Sequence, residues 1–481
     1  GIPMNVLHII SDQHQAACMG CEGHGQALTP NLDRLAGEGM RFANAYAQNP
    51  ICTPSRMSIY TGQYCHNHGF FGLSGERPQG MQSFLGHFKQ HGYKTAVIGK
   101  THVPNEPRDW LLDHVDLWAS CTSGPTASSS PSPYRRYLQA LGLAHDDDNL
   151  KITGYPPHPT GLPQNQLRAR PTKLPLEHNV ESWCVQQATD FIDQRGDQPF
   201  CVQVSLPKPH AAYTPHRRFW DMYDDDLELS PTFYQDPKGR PPHFRQMHEM
   251  FRGVWDSADE VLSYEEAARN IWRGYLGCVS QVDYSVGLLL DYLQENGLAE
   301  DTLVVYNADH GAYSTCFGIQ EKAPGICSEM VCRVPTIWRV PGTTVAGGVC
   351  DELVENIDMT PTIMALCGVP AMADMDGVDL SGLLRGEGGP VKDMAVTEHR
   401  HSKALRWGPW RYVHYQPGDF GGNYGELYQL EDDPFEANNL FDDPAHRDIV
   451  VEGERRLLEW LVGTRHVRNT FSGGRFEDNY L

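Results

Sequence analysis

Two apolar runs end in groups that can hold a cation, and they limit what this chain can fold into. MNVLHII (4–10) leads into Ser11, Asp12 and Gln13, and TLVVYNADHG (302–311) carries Asp309 and His310 at its end. Uninterrupted apolar runs of this length read as strands buried on both faces, and such strands belong to parallel sheets covered by helices. KTAVIGK (94–100) and PFCVQVSL (199–206) repeat the theme, with Lys100 at one end and His210 just past the other. Ligands of open α/β sheets bind beyond the carboxyl ends of the strands. Asp12, Lys100, His210 and Asp309 are therefore expected on one edge of one sheet.

The intervening sequence supplies the helices. Thr29-Pro30 has the form of an N-cap followed by proline at the first helical position, opening a helix to about Glu38. PSRMSIYTGQ, SFLGHFKQHG (83–92) and HNVESWCVQQATDFIDQR (178–195) carry helical patterning, and a long helical region at 263–297 stops at Gly297. VPTIWRV (334–340) is a further strand. Alternating strands and helices predict a large, mostly parallel sheet sandwiched by helices. The Pro- and Ser-rich stretches 120–135, 150–175 and 207–245 read as long excursions over the strand ends, where a pocket is shaped. After about residue 390 the texture changes to antiparallel strands, ALRWGPWRYVHY and GELYQLEDDP, followed by a helix near 446–463. The expected division is a catalytic domain over 1–390 and a small α+β subdomain over 391–481.

Bulk properties exclude several classes. The net charge is −22, which argues against a basic nucleic-acid face and against docking on anionic membranes. No apolar run approaches the roughly 20 residues of a membrane span. GIPMNVLHII lacks a basic n-region and a cleavage site. Thirteen cysteines without a short repeating spacing fit a reducing compartment. The expected location is cytoplasmic. His14, Cys18, Cys21 and His24 have a zinc-like spacing, but a single C-x-x-C on a loop after a strand is a weak basis for a metal site.

Cys52 lies among turn formers in NPICTPSRMSIYTGQY (49–64), and CTPSR matches the C-x-P-S-R signature of type I sulfatases in the alkaline-phosphatase superfamily. IYTGQYCHNHG, GYKTAVIGKTH, SLPKPHAAY, NADHG, SEMVCRVPTI and GELYQLEDDPFEANNL resemble further segments of that family, in family order from residue 5 to about 440. The resemblance implies that a maturation enzyme oxidises Cys52 to formylglycine, whose hydrate attacks sulfur with one hydroxyl and expels sulfate with the other. A plain buried cysteine is the structural alternative.

The resemblance also implies roles. Asp12, Gln13, Asp309 and His310, with residue 52, would hold one divalent metal, calcium or manganese. Asp309 is also a candidate acceptor for the nucleophile's proton. Arg56 lies one helical turn after Cys52 and would hold its hydroxyl. Lys100 and Lys322 would clamp non-bridging oxygens. His102 would be the base that releases sulfate, and His210 would protonate the leaving group. Gln13 and His310 stand where many family members have Asp and Asn; neutral ligands shift the balance from calcium toward manganese. They also resemble the phosphonate monoester and phosphodiester hydrolase branch, whereas Lys100 and His102 keep the sulfatase pattern. Three functions follow as expectations: a sulfate ester hydrolase, a phosphonate or phosphodiester hydrolase on the same machinery, and a non-catalytic anion-binding protein with unmodified Cys52. A choline-sulfatase is a further candidate, without a stretch that supplies a trimethylammonium cage. Expected partners are a small sulfate ester and a formylglycine-generating enzyme, with no nucleic acid and no membrane. Phe70, Phe71, Trp110, Tyr213 and His216 are candidates for the pocket wall. The tail RNTFSGGRFEDNYL is a candidate for packing across the subunit boundary of a homo-oligomer.

Overall fold

The computed structural model describes residues 4–73, 75–126, 130–144, 169–237, 239–257, 264–322, 326–418 and 421–466. The C-terminal tail and most of the 150–175 excursion lie outside the described residues.

Eight strands form the main sheet: β1 (Asn5–Asp12), β2 (Met40–Tyr46), β3 (Lys94–Gly99), β4 (Leu117–Ser120), β5 (Phe200–Pro209), β6 (Thr302–Ala308), β7 (Thr336–Arg339) and β8 (Gly348–Glu355), in the order β4-β3-β5-β1-β6-β7-β2-β8. Only β7 runs antiparallel to its neighbours. Alternation along β1 explains the two layers. Val6 and Ile10 enter one core with Met57, Ile59, Phe84 and Ile363, from the helices Cys52–Thr61, Phe84–Gln90 and Met359–Cys367. Leu7 and Ile9 enter the other with Leu32, Trp183 and Leu289, from the helices Pro30–Glu38, Val180–Asp193 and Tyr264–Glu295. Both faces are covered, as the apolar runs require.

The register sets the level of the functional residues. Ser11 pairs with Ala308 across β1 and β6, so Asp12 and Asp309 are the next residues on adjacent parallel strands. Gly99 pairs with Ser205 across β3 and β5, which brings Lys100 to the same edge. A bulge at Ser11/Asp12 pairs Asp12 with Pro209, the residue before His210.

Thr29 precedes the helix from Pro30 as expected, but its hydroxyl does not cap that helix; it accepts from the Gly20 amide and donates to Asp33. Ser83 does cap its helix, accepting from the Gly86 amide. The 207–245 excursion is more ordered than its composition implies. β5 continues to Pro209, a short helix forms at Arg217–Trp220, and another begins at Pro242. Proline at a helix start is compatible with order, and a proline count alone hides this.

A second, antiparallel sheet has the order β12-β11-β10-β9, with β9 (Ala395–Glu398), β10 (Ser402–Trp407), β11 (Trp410–Tyr415) and β12 (Gly425–Gln429). Leu405, Trp407, Tyr412 and Leu427 pack against Val450, Leu457 and Trp460 of the helix Arg447–Thr464. Among the described residues no helix is long and apolar enough to cross a membrane.

Candidate active site

Asp12 follows from β1, Asp309 and His310 from β6, and the three side chains offer ligand atoms within 4.8 Å of one another. All three are buried. His310 Nδ1 donates to the Gly311 carbonyl at 2.8 Å, and a carbonyl oxygen can only accept. The lone pair of the neutral ring therefore sits on Nε2, 3.3 Å from Asp12 Oδ1 and 3.5 Å from Asp309 Oδ1. Asp12 Oδ1 and His310 Nε2 have no hydrogen-bond partner. Two carboxylate oxygens and an imidazole lone pair turned on one another, buried, fit a divalent cation. Burial disfavours charge on His310, yet the neighbouring Asp309 and Asp12 carboxylates outweigh it and push the imidazole up to about 9, so a proton and a cation compete for Nε2.

Gln13 adopts φ 69°, a left-handed backbone rare outside glycine. Its amide N–H donates to Asp309 Oδ1 at 3.1 Å. The side-chain Nε2 donates to the Tyr213 hydroxyl at 3.3 Å, which leaves Oε1 turned inward, where Lys322 Nζ donates to it at 3.2 Å. Tyr213 in turn donates to Glu321 at 3.4 Å.

Cys52 is the first residue of its helix and only 2 % exposed. Asn49 Oδ1 accepts from the Ile51 amide at 2.8 Å, and Ser55 donates to the Asp309 carbonyl at 2.6 Å, so the helix N-terminus is pinned against the end of β6. Burial opposes a thiolate here. The Lys100 charge and the neighbouring His102 and His310 imidazoles overcome it and hold the thiol well below its ordinary range. The environment around Cys52 stabilises an anion.

Arg56 lies one turn on, fully buried, and ties the parts together. Its Nε donates to Asp309 Oδ2 at 3.0 Å, and its Nη1 donates to Ser205 Oγ at 2.8 Å and to the Lys100 carbonyl at 3.2 Å. Lys100 is paired with Asp12; burial opposes charge on that carboxyl, but the Lys100 cation with His210 and His310 outweighs it and holds the carboxyl well below its usual range. His102 has φ 45°, and its Nδ1 is buried without a hydrogen-bond partner. Backbone outliers of this kind persist where the surroundings over-determine them, often at functional sites. His210 Nδ1 donates to the Ala211 carbonyl at 2.6 Å, and its Nε2 accepts from Lys322 at 3.1 Å. Burial and the Lys322 charge lower the pKa of this imidazole, which is neutral as arranged.

All the candidate site residues converge on one edge of the sheet. The zinc-like set does not form a site. His14 is spent on Tyr306 at 2.6 Å and the Cys18 carbonyl at 2.8 Å, and His24 accepts from the Gln26 and Ala27 amides. The aromatic wall is also corrected. A cleft of about 880 Å³ opens over Asp12, Lys100, His102 and His210, and none of Phe70, Phe71, Trp110, Tyr213 or His216 lines it. Trp110 packs in the core against Tyr60, and Tyr213 lies buried behind Gln13. Asn105, Arg135 and Gln139 do line the cleft; nothing in their local sequence marks them.

The sheet, the Asp12, Asp309 and His310 cluster at its edge and the small second sheet make an alkaline-phosphatase-like fold. The sulfatase family's sequence model matches residues 4–369, and that of the C-terminal part of N-sulphoglucosamine sulphohydrolase matches 326–462. The chain belongs to the sulfatase family. It is 24 % identical to an N-acetylglucosamine-6-O-sulfatase of Bacteroides thetaiotaomicron, over 95 % of this chain and 90 % of that one. It is 26 % identical to an arylsulfatase of Clostridium perfringens, over 95 % and 94 %. In structure it resembles a phosphonate monoester hydrolase from Silicibacter pomeroyi with a TM-score of 0.79 at 22 % identity, covering 96 % of each chain.

Proposed function

We propose that the protein hydrolyses sulfate esters, with Cys52 converted to formylglycine and one divalent cation held by Asp12, Gln13, Asp309 and His310. The observation that carries this reading is Cys52 itself: buried at a helix N-terminus, facing the cation-holding cluster, in surroundings that lower its pKa. A packed structural thiol is pushed the other way, as Cys65 is, by burial.

When present, the cation supplies Lewis-acid stabilisation of the ester oxygens, and the hydrated aldehyde supplies a hydroxyl nucleophile together with its own release group. The chain's residues do the rest. Lys100 and Lys322 bind non-bridging oxygens of the tetrahedral anion. Arg56 holds Asp309 in place beside residue 52. His102, beside residue 52, takes the proton whose loss releases sulfate. His210 would give a proton to the leaving oxygen from Nε2 once protonated there, and Lys322, which donates to that nitrogen in the arrangement seen, holds the ring in place beside the anion.

Gln13 and His310, which resemble the cation ligands of the phosphonate monoester and phosphodiester hydrolase branch, motivate a second reading, a phosphonate monoester or phosphodiester hydrolase on the same machinery. The deciding experiment uses protein co-expressed with a formylglycine-generating enzyme. Mass spectrometry of the peptide containing residue 52 reports the conversion. Paired kcat/KM values for para-nitrophenyl sulfate and bis(para-nitrophenyl) phosphate then rank the two chemistries. A higher value for the sulfate is expected; the reverse order would establish the second reading. Bound cation with an unmodified thiol and no turnover would leave an anion-binding protein. The thirteen free cysteines support cytoplasmic residence as part of the same proposal.

A further inference from the structure

The layer beneath the reacting edge is polar where an apolar core would have served. Val6, His8 and Ile10 of β1 point to the face covered by the helix Cys52–Thr61, and His8 is fully buried there. Gln203 is its register partner on β5, and Asn307 lies on β6 two residues before Asp309; both are buried. Tyr60 meets them from the helix, one turn after Arg56. Burying four polar side chains costs free energy that leucine or valine would not, so their bonds call for a reason beyond packing. We propose that Tyr60 is a positioning residue: held by Gln203 and His8, it fixes Arg56, and through Arg56 the place of Asp309 beside residue 52. This rests on the hydrolytic reading above.

The bonds run one way. The Tyr60 hydroxyl donates to Gln203 Oε1 at 2.5 Å, and Gln203 Nε2 donates to His8 Nδ1 at 3.2 Å. His8 is neutral, because burial lowers its pKa to about 4; it carries its proton on Nε2 and donates to Asn307 Oδ1 at 2.7 Å. Asn307 Nδ2 ends the chain on Met359 Sδ at 3.8 Å. Gln203 turns its carbonyl to Tyr60 because His8 Nδ1 has no proton to offer it. The Tyr60 proton is thus tied to the sheet, and burial pushes the phenol above its ordinary range, so it stays protonated. On its other side the Tyr60 oxygen offers lone pairs, and the group one turn back is the Arg56 guanidinium.

Arg56 and Tyr60 together seat the helix on β5. Arg56 Nη1 donates to Ser205 Oγ at 2.8 Å, and Tyr60 reaches Gln203, two residues earlier on the same face of that strand. One helical turn rises about 5.4 Å and two strand residues about 6.6 Å, so the two contacts match in spacing. Neighbouring rings hold Tyr60 without help from its hydroxyl: it stacks on Phe84 at 5.8 Å and meets Trp110 edge-on at 6.2 Å. What the hydroxyl adds is a fixed neighbour for the guanidinium that binds Asp309 Oδ2 at 3.0 Å. The chain also crosses β6, β1 and β5, the strands that lead to Asp309, Asp12 and His210, and so ties the helix bearing residue 52 to all three.

The test compares Tyr60→Phe, His8→Leu and the double variant with the parent, each as the full chain bearing formylglycine and loaded with manganese. Para-nitrophenyl sulfate and bis(para-nitrophenyl) phosphate are both assayed, and the better substrate supplies the constants. Tyr60→Phe is expected to lower kcat by about tenfold or more, with KM and the manganese Kd within about twofold, the mark of an interaction used in the transition state. His8→Leu is expected to lower kcat in the same way, and the double variant to fall no further than Tyr60→Phe alone, because both break one chain. Gln203→Met replaces His8→Leu if that variant does not fold. Crystal structures of the unmodified parent and Tyr60→Phe proteins give a readout independent of turnover, and they decide alone if neither substrate is hydrolysed: the Arg56 guanidinium is expected to leave Asp309 Oδ2 or Ser205 Oγ. A kcat within about twofold of the parent's, losses that multiply in the double variant, or a guanidinium in its parent position would overturn the inference. Turnover of the diester without turnover of the sulfate would overturn the sulfatase reading and leave the positioning role to be judged on the diester constants.

Discussion

His310 presents its Nε2 lone pair to Asp12 Oδ1 at 3.3 Å because its Nδ1 proton is committed to the carbonyl of Gly311. A backbone carbonyl thus selects the tautomer that binds a cation. His310→Ala and Asp12→Asn should each weaken manganese binding by about a hundredfold or more, since disturbing outer partners of a metal site alone costs about 10–100-fold. Isothermal titration reads this directly. Affinity within a factor of three of the parent protein would remove both residues from the cation site.

Arg56 neutralises Asp309 inside the protein and braces β3 and β5 through the Lys100 carbonyl and Ser205. Replacing it with methionine keeps the volume and strands a buried carboxylate. The expected loss is about 3–5 kcal/mol, the usual cost of breaking one side of a buried pair. Urea denaturation in the presence of a chelator measures it, and a change below about 1 kcal/mol would show that Asp309 does not depend on Arg56.

Tyr213 fixes which way the Gln13 amide points, by accepting from Nε2 at 3.3 Å while donating to Glu321. Tyr213→Phe removes one hydrogen bond on each side, worth about 1 kcal/mol each. Cation affinity should fall about fivefold, with the thermal midpoint lowered by only a few degrees. Unaltered affinity would mean that Gln13 keeps its orientation unaided.

Acid should destabilise the protein through buried neutral imidazoles. Burial lowers His8 and His14 to about 4 and His68 to about 3. These folded-state values lie below the ordinary 6.5, so each histidine gains a proton only on unfolding. Their contribution is complete above about pH 6.5 and is lost as pH falls toward 4. Each should cost on the order of 1–2 kcal/mol between pH 7 and 5. Urea midpoints at the two pH values test this, and His68→Asn should flatten the slope.

The strands were legible where burial is two-sided, because β1, β3, β5 and β6 are continuous apolar runs. β2, as MRFANAY, and β8, as GVCDELVE, were not: they lie toward one end of the sheet and carry mixed polarity. The reacting edge was legible because its residues sit at strand ends, and register alone brings Asp12 beside Asp309. The cleft wall was not. Asn105, Arg135 and Gln139 come from a loop and a short helix whose places are set by tertiary packing, and of the aromatic residues near the matched segments Trp110 and Tyr213 are core.

The edge of the sheet also has a timetable. Lys322, the last of the converging residues, emerges from the ribosome about 270 residues after Cys52, which at about 5–20 residues per second is roughly 15–55 s. β1 finds its partner β6 only near the end of that interval, because residue 5 pairs with residue 302. Until then, the sheet edge against which the finished protein buries the thiol to 2 % exposure is incomplete. Chain connectivity therefore opens an interval during synthesis in which a modifying enzyme can reach residue 52, and completion of the sheet closes it.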